Sequence, residues 1–408
     1  MRTPIVENHT EAQLANAAVL QRLERLSSYL KQDPENLTLL ADVSDLHLQL
    51  GQWELAKATL QQIHASQPQN ALACYRLAVA ERALGNLPVA VGLLQDLINE
   101  GVTDPVVLLE AASAQAQADD WSATLQVLAS LDATKLPAAQ GDSVWLLRIR
   151  AHHHQGQVEQ GLAEAEAWQL ARRGQALPIG GIAAMATLNL DAERLDALAQ
   201  LLLQCDAAQI GGSAELLAAA GYLELGRGEI DVAMDHFSRS TSLQPKSGRS
   251  LLGLGLAAAV KGKQAQAISM LREATRVAPG HVGSWHALAW LQLLSDDIDG
   301  AAGSFASALA QDRNFGDTHG GLALVAVLCD DQAAAAEHLA VAQRLDRGSM
   351  NAAVARILLE QGRGASLRDP ELLQRGLQQF LERAASRQDG AGEMLAKVLA
   401  SVEPANWH

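Results

Sequence analysis

The chain has 408 residues and a formal net charge of −15, and a surface of that sign opposes binding to the phosphate backbone of nucleic acids. Hydrophobic residues make up 49% of it but aromatics only 3%, so alanine and leucine, both strong helix formers, supply the apolar surface. Residues 251–260 form an apolar stretch that Gly253 and Gly255 interrupt; it falls short of the ~20 residues a membrane-spanning helix needs, so direct membrane insertion is not expected.

At the N-terminus, MRTPIVENHTEAQ is polar and lacks the apolar run of a secretory signal. Cys74, Cys205 and Cys329 stand far apart and form neither a metal-ligand spacing nor a disulfide framework. Reduced thiols in a cytoplasmic protein are the expectation. Residues 11–32 are predicted as a helix with Leu14, Leu23, Leu26 and Leu30 along one side, which makes 1–36 an N-terminal cap.

A spacing of 34 residues then governs the chain. Ala56, Ala90 and Thr124 are each followed four residues later by Leu60, Leu94 and Leu128. The same pairs return as Ala233/Phe237, Ala267/Leu271, Ala301/Phe305 and Ala335/Leu339. Twelve residues before each landmark stands a small residue: Ser44, Ala78, Ala112, Gly221, Gly255, Ala289 and Ala323. Between them lie Gly51, Gly85, Asp119, Gly228, Gly262, Asp296 and Asp330, where the chain must leave a helix through a left-handed conformation. Pro68, Pro245 and Pro279 mark unit boundaries, because proline cannot continue a helix interior. The pattern reads as pairs of antiparallel helices crossing where side chains are short.

Three repeats occupy 37–134, a degenerate section follows at 135–213, four repeats fill 214–349, and 350–408 holds a partial repeat with closing helices near 370–386 and 390–401. Pro137, Gly180-Gly181 and Gly211-Gly212 interrupt the middle section. One continuous superhelix hinged there is the first reading; two separate arrays are the alternative.

The set Leu254-Gly255, Gly262, Ala267, Leu271, Ala274 and Pro279, and the set Trp285, Leu288-Ala289, Ala301, Phe305 and Ala308, resemble the tetratricopeptide repeat family. The resemblance covers about 37–349. It departs from the family where an aromatic is expected in the first helix, which here is Glu81, Ala258 or Gln292, and where Arg313 and Arg347 replace the terminal proline. It implies an all-α, right-handed α-α superhelix of about nine to ten helix-turn-helix repeats with capping helices.

The resemblance also implies that the first helices line a concave groove. By helical phase that groove carries Tyr75, Val79, Arg82, Leu146, Arg150 and His153 in the earlier units. In the C-terminal array it carries Tyr222, Leu225, Arg249, Leu252, Leu256, His286, Trp290, Leu293, Leu324 and Val327. Aromatic and aliphatic residues there suit a bound peptide or amphipathic helix of another protein. Charge at Trp290 or Leu256 is expected to abolish binding without unfolding. The implied role is a scaffold or targeting or assembly chaperone, with bacterial secretion or assembly as one setting. A self-associating component, its groove holding the segment 404–408, is the alternative, so a homo-oligomer stays open.

No catalytic residue, metal site or cofactor is predicted. His152-His153-His154 point about 100° apart on a helix and cannot converge on one ion. Residues 253–258 fit a loose dinucleotide fingerprint, but its glycines fall in the middle of a repeat's first helix rather than after a strand.

Overall fold

A computed structural model describes residues 4–361, with side chains from 17 to 360. The closing helices predicted near 370–386 and 390–401, and the segment 404–408, lie outside the described residues. Among the described residues there are 21 α-helices, one 3-10 turn and no strand. The chain falls into two compact units that divide after Gly181.

In the first unit α1 (Pro4–Leu30) precedes three helix pairs: α2 and α3 (Leu37–Gln49, Trp53–Ser66), α4 and α5 (Ala71–Ala83, Leu87–Asn99), and α6 and α7 (Pro105–Gln117, Trp121–Leu128). The 3-10 turn Ala133–Lys135 comes next, then α8 (Ala138–His154) and α9 (Val158–Ala171). Helix α10 (Ile179–Asp191) starts at the end of this unit and belongs mostly to the second, where α11 (Leu195–Leu202) and the short α12 (Ala207–Gly211) follow. Four regular pairs come after: α13 and α14 (Ala214–Gly226, Ile230–Leu243), α15 and α16 (Gly248–Val260, Gln264–Val277), α17 and α18 (Val282–Leu294, Ile298–Gln311), and α19 and α20 (Gly316–Leu328, Gln332–Leu345). Helix α21 (Met350–Gln361) opens a further pair.

Each recurring residue has a local physical task. The turns at Gly51, Gly85, Gly228 and Gly262 have φ of 68–82°, and Asp119, Asp296 and Asp330 adopt the same left-handed conformation at 60–63°. At each of them the N–H of the residue just before the second helix returns five residues to a carbonyl, as Gln52 does to His47 and Asp297 to Gln292, which closes a Schellman motif. Gly156 and Glu193 make the same turn in the irregular pairs. The landmarks Ala56, Ala90, Thr124, Ala233, Ala267, Ala301 and Ala335 are wholly buried. Pro68, Pro245 and Pro279 each follow directly on the C-cap of a second helix.

The helices do cross at the small residues. A Cβ added to Gly221 would stand 2.7 Å from the Phe237 ring, and one at Gly255 2.7 Å from Leu271. Phe237 also reaches the next first helix, where Gly253 leaves room for its ring, and Phe305 does the same at Gly321.

At several positions that depart from the family's aromatic, a polar side chain bonds to the turn or to the paired helix instead. His47 Nδ1 pairs with Gln52 at 2.7 Å, and Asn86 donates to Glu81 at 2.6 Å. Gln292 accepts from Ser304 at 2.6 Å. His152 belongs to this set: its Nδ1 lies 2.7 Å from Gln157. His154 stacks on Trp121 at 4.1 Å. The histidine run therefore serves separate structural neighbours, and among the described residues no group of three potential ligands could hold a metal ion. No described helix is long and apolar enough to cross a membrane.

Candidate functional site

The first helices of the second unit enclose a pocket of about 460 Å³. Tyr222 from α13, Arg249, Leu252 and Leu256 from α15, and His286 from α17 all line it, so five residues placed in the groove by phase come together. Apart from Ala287 of α17, the rest of the lining comes from helix ends and connections, among them Leu190 and Asp191 at the end of α10, Glu193 in its turn, His281 before α17, Phe315 and Asp317 at the start of α19, and Asp346 with Met350 around α21.

Backbone and charge position these groups. Arg249 is the second residue of α15, and its guanidinium grips Asp191 through two bonds of 2.5 and 2.8 Å. Burial works against the guanidinium charge, but Asp191 more than restores it. The Tyr222 hydroxyl donates to the Arg249 carbonyl at 2.8 Å, and its burial pushes the phenol pKa up. Burial, then Arg249, holds His281 below the usual imidazole range, so its ring is neutral at pH 7.

Deeper in, a polar network joins three successive first helices. His286 Nε2 meets Thr318 Oγ1 at 2.8 Å, and its Nδ1 lies 3.5 Å from Asp317. Asp317 accepts from the Ser349 hydroxyl at 2.5 Å and from the Asn351 N–H at 2.9 Å. Asn351 in turn accepts from Trp290 Nε1 at 2.8 Å. A hydroxyl, an imidazole and a carboxylate thus stand in series. Thr318 is nevertheless 0% exposed and does not line the pocket, so the series binds helices together.

Burial pushes the Asp317 carboxyl up, but bonds from His286, Ser349 and Asn351 outweigh it and hold its pKa below the usual value. A carboxylate depressed in the folded state contributes stability that is complete above its unfolded pKa of ~3.9 and is lost as pH falls toward the folded value. Asp317→Asn is therefore expected to cost about 1.5–3 kcal/mol at neutral pH, the range for a buried charged hydrogen bond. That gap should begin to narrow below about pH 4 and shrink further as the pH falls toward the folded pKa. Urea denaturation of both proteins at the two pH values measures it; a gap that stays constant on acidification would contradict an ionised Asp317.

Other residues phased to the groove lie elsewhere. Trp290 is 0% exposed, and with Leu293 and Leu324 it belongs to the core formed with Met350, Val354 and Leu358. Val327 is half-buried against that core, and Leu225 is buried. Trp290 is thus a core residue, and charge placed there would unfold the pairs around it rather than only empty a groove. In the first unit Tyr75 packs half-buried against the cluster of Ala78, Leu94 and Ala111. Val79 and Arg150 are half-buried, as are Leu146 and His153. Arg82 is held by Glu110 at 2.5 Å.

Phe315 escapes phase reasoning because it precedes its helix. Its position still carries a signal. Asn36, Asn70, Asp104, Ser213, Ser247 and His281 stand before first helices at the same place in the repeat, and each accepts a bond from that helix's backbone. Ser349 does so for Ala352 N–H. Phe315 makes no such bond; the residue is 40% exposed, lines the pocket and sets its ring edge-on to His286.

The tetratricopeptide repeat family model matches residues 44–105 and 218–282, one stretch in each unit. These segments are tetratricopeptide repeats. The pocket lies among the repeats of the second unit, on their first helices. No curated protein matches the chain. Solved chains with which it shares features include one titled as the crystal structure of the APC/C hetero-tetramer Cut9–Hcn1, at 16% identity and TM-score 0.34, covering 93% of this chain and 98% of that one. MamA (MSR-1 C2) is 22% identical at TM-score 0.33, over 41% of this chain and 95% of its own, and a point variant of MamA gives nearly the same figures.

Proposed function

We propose that this repeat protein is a non-catalytic, cytoplasmic scaffold or assembly chaperone whose second unit holds an apolar or amphipathic segment of another protein in the pocket. A bacterial secretion or assembly system is a setting of this kind. Phe315 carries the reading. A capping side chain at that position is worth about 1 kcal/mol, and seven equivalent positions have one. A large, exposed aromatic that gives up the cap and leans over a pocket is the expected mark of a contact residue, since binding sites keep residues that stability alone would replace.

Phe315→Ser separates the two roles. Serine restores a cap, so the variant should be more stable than the wild type by about 1 kcal/mol. It should also lose the partner that the wild type captures from lysate of its source, identified by mass spectrometry. Leu203→Ser, which removes a 77% exposed leucine away from the pocket, should keep that partner. Undiminished capture by Phe315→Ser would overturn the reading.

A further inference from the structure

On the basis of that pocket reading, we propose that His281 is a second contact residue. Its ring donates from Nε2 to a main-chain carbonyl of an extended segment whose uncharged apolar side chain fills the pocket beside Phe315.

The cap position before each first helix carries the inference. Asn36, Asn70, Asp104, Ser213, Ser247 and Ser349 fill it with short side chains, of the kinds that cap best, and none of the six lines the pocket. His281 and Phe315 fill it with rings, and both line the pocket. His281 still caps: its Nδ1 accepts the Ser284 N–H at 3.1 Å. A backbone N–H can only donate, so Nδ1 carries no proton and the neutral ring bears its own on Nε2. Among the described residues that Nε2–H meets no acceptor, and the residue still meets solvent.

The charged groups of the lining are engaged. Arg249 and Asp191 hold each other, Asp317 accepts from Ser349 and Asn351, and Glu193 and Asp346 have partners of their own. The Tyr222 hydroxyl is bonded to the Arg249 carbonyl. A charged side chain of either sign would therefore lose its water without gaining an open counter-ion, a cost that an uncharged apolar side chain escapes. One open donor among largely apolar walls is the arrangement by which a pocket orients what it binds, and about 460 Å³ admits one or two large side chains. Inside a helix each carbonyl is already bonded to the N–H four residues on, so an extended segment is what presents one beside its anchor.

Four small probes test this. N-acetyltryptophanamide sets an uncharged aromatic side chain between two amide carbonyls. Skatole keeps the ring system without a carbonyl, N-acetyltryptophan adds a carboxylate, and tryptophanamide adds an ammonium. Ligand-observed NMR titrations read their affinities for the full chain, for His281→Ser and for Phe315→Ser. Serine is the cap at Ser247 and Ser349, so His281→Ser removes the ring donor and keeps the cap, which urea denaturation checks. N-acetyltryptophanamide should bind roughly three- to tenfold more tightly than skatole, the worth of one neutral hydrogen bond. His281→Ser should erase that ratio and leave skatole unchanged, whereas Phe315→Ser should weaken both. The two charged relatives should bind roughly tenfold more weakly than the amide.

A ratio that survives His281→Ser, with Phe315→Ser still weakening both indoles, would overturn the His281 contact and leave the groove intact. Tighter binding of N-acetyltryptophan than of the amide would overturn the choice of a main-chain carbonyl in favour of a carboxylate. Binding of none, or indifference to Phe315→Ser, would remove the groove reading itself. Displacement of the amide by a peptide of residues 397–408 would hand the pocket to the chain's own end and overturn another protein as its occupant.

Discussion

Trp290→Ala is expected to lower the unfolding free energy by about 3–5 kcal/mol, the usual range for removing a fully buried aromatic side chain. The ring is 0% exposed and packs with Phe305, Leu324 and Val354, so its loss leaves a void lined by residues of several successive helices. A second cost adds to the cavity. Asn351 Oδ1 would lose the indole N–H that satisfies it, and an unsatisfied buried acceptor costs about 1–3 kcal/mol. Asn351 also holds α19 through its Nδ2 bond to the Asp317 carbonyl, so disturbance should spread to the polar network. Trp290→Phe isolates the hydrogen bond from most of the packing and should cost less than the alanine variant. Urea denaturation followed by far-ultraviolet circular dichroism gives both values. A loss below about 1 kcal/mol for Trp290→Ala would mean that the ring is dispensable to the core, contrary to its burial.

The repeat was legible because its landmarks answer to local constraints. Gly221 and Gly255 are small since an aromatic or leucine side chain of the paired helix leaves no space for a Cβ. The turn residues are glycine or aspartate since φ there is positive. Such demands repeat with the unit and show directly as spacing. The pocket was only half legible for a related reason. Helical phase gives a side chain's direction relative to its own pair, and three residues read that way, Tyr222, Leu252 and Leu256, line the pocket. It does not say whether a later helix covers that direction. Trp290 shares the phase of Leu256, yet its indole reaches Asn351, 61 residues on, and is buried. The acidic lining was missed because Asp191, Glu193 and Asp346 sit at helix ends, outside any phase argument. Gly180-Gly181 has a local task as well: both residues lie in the first turn of α10, where Gly181 makes room for the fully buried Trp168, and the two compact units divide directly after them.

The second unit also couples residues across its junctions, and this leads to a reversible effect. Sixteen residues after each large second-helix side chain stands a small one: Gly253 after Phe237, Ala287 after Leu271, Gly321 after Phe305, and Ala355 after Leu339. Glycine follows phenylalanine and alanine follows leucine. Structure gives the reason at the two phenylalanines, since a Cβ on Gly253 or Gly321 would run into the ring. Inside a helix, glycine to alanine ordinarily gains about 0.5–1 kcal/mol. At Gly321 the overlap with Phe305 should exceed that gain, because overpacking a close-packed core costs typically about 1–3 kcal/mol. Gly321→Ala is therefore expected to destabilise the protein. In a Phe305→Leu background the same change should stabilise it, as the shorter side chain vacates the space and the helix propensity of alanine is recovered. A double-mutant cycle by chemical denaturation measures this reversal of sign. Stabilisation by Gly321→Ala with Phe305 in place would show that the ring can turn aside, and that the small residues at these junctions are set by something other than the side chain of the preceding repeat.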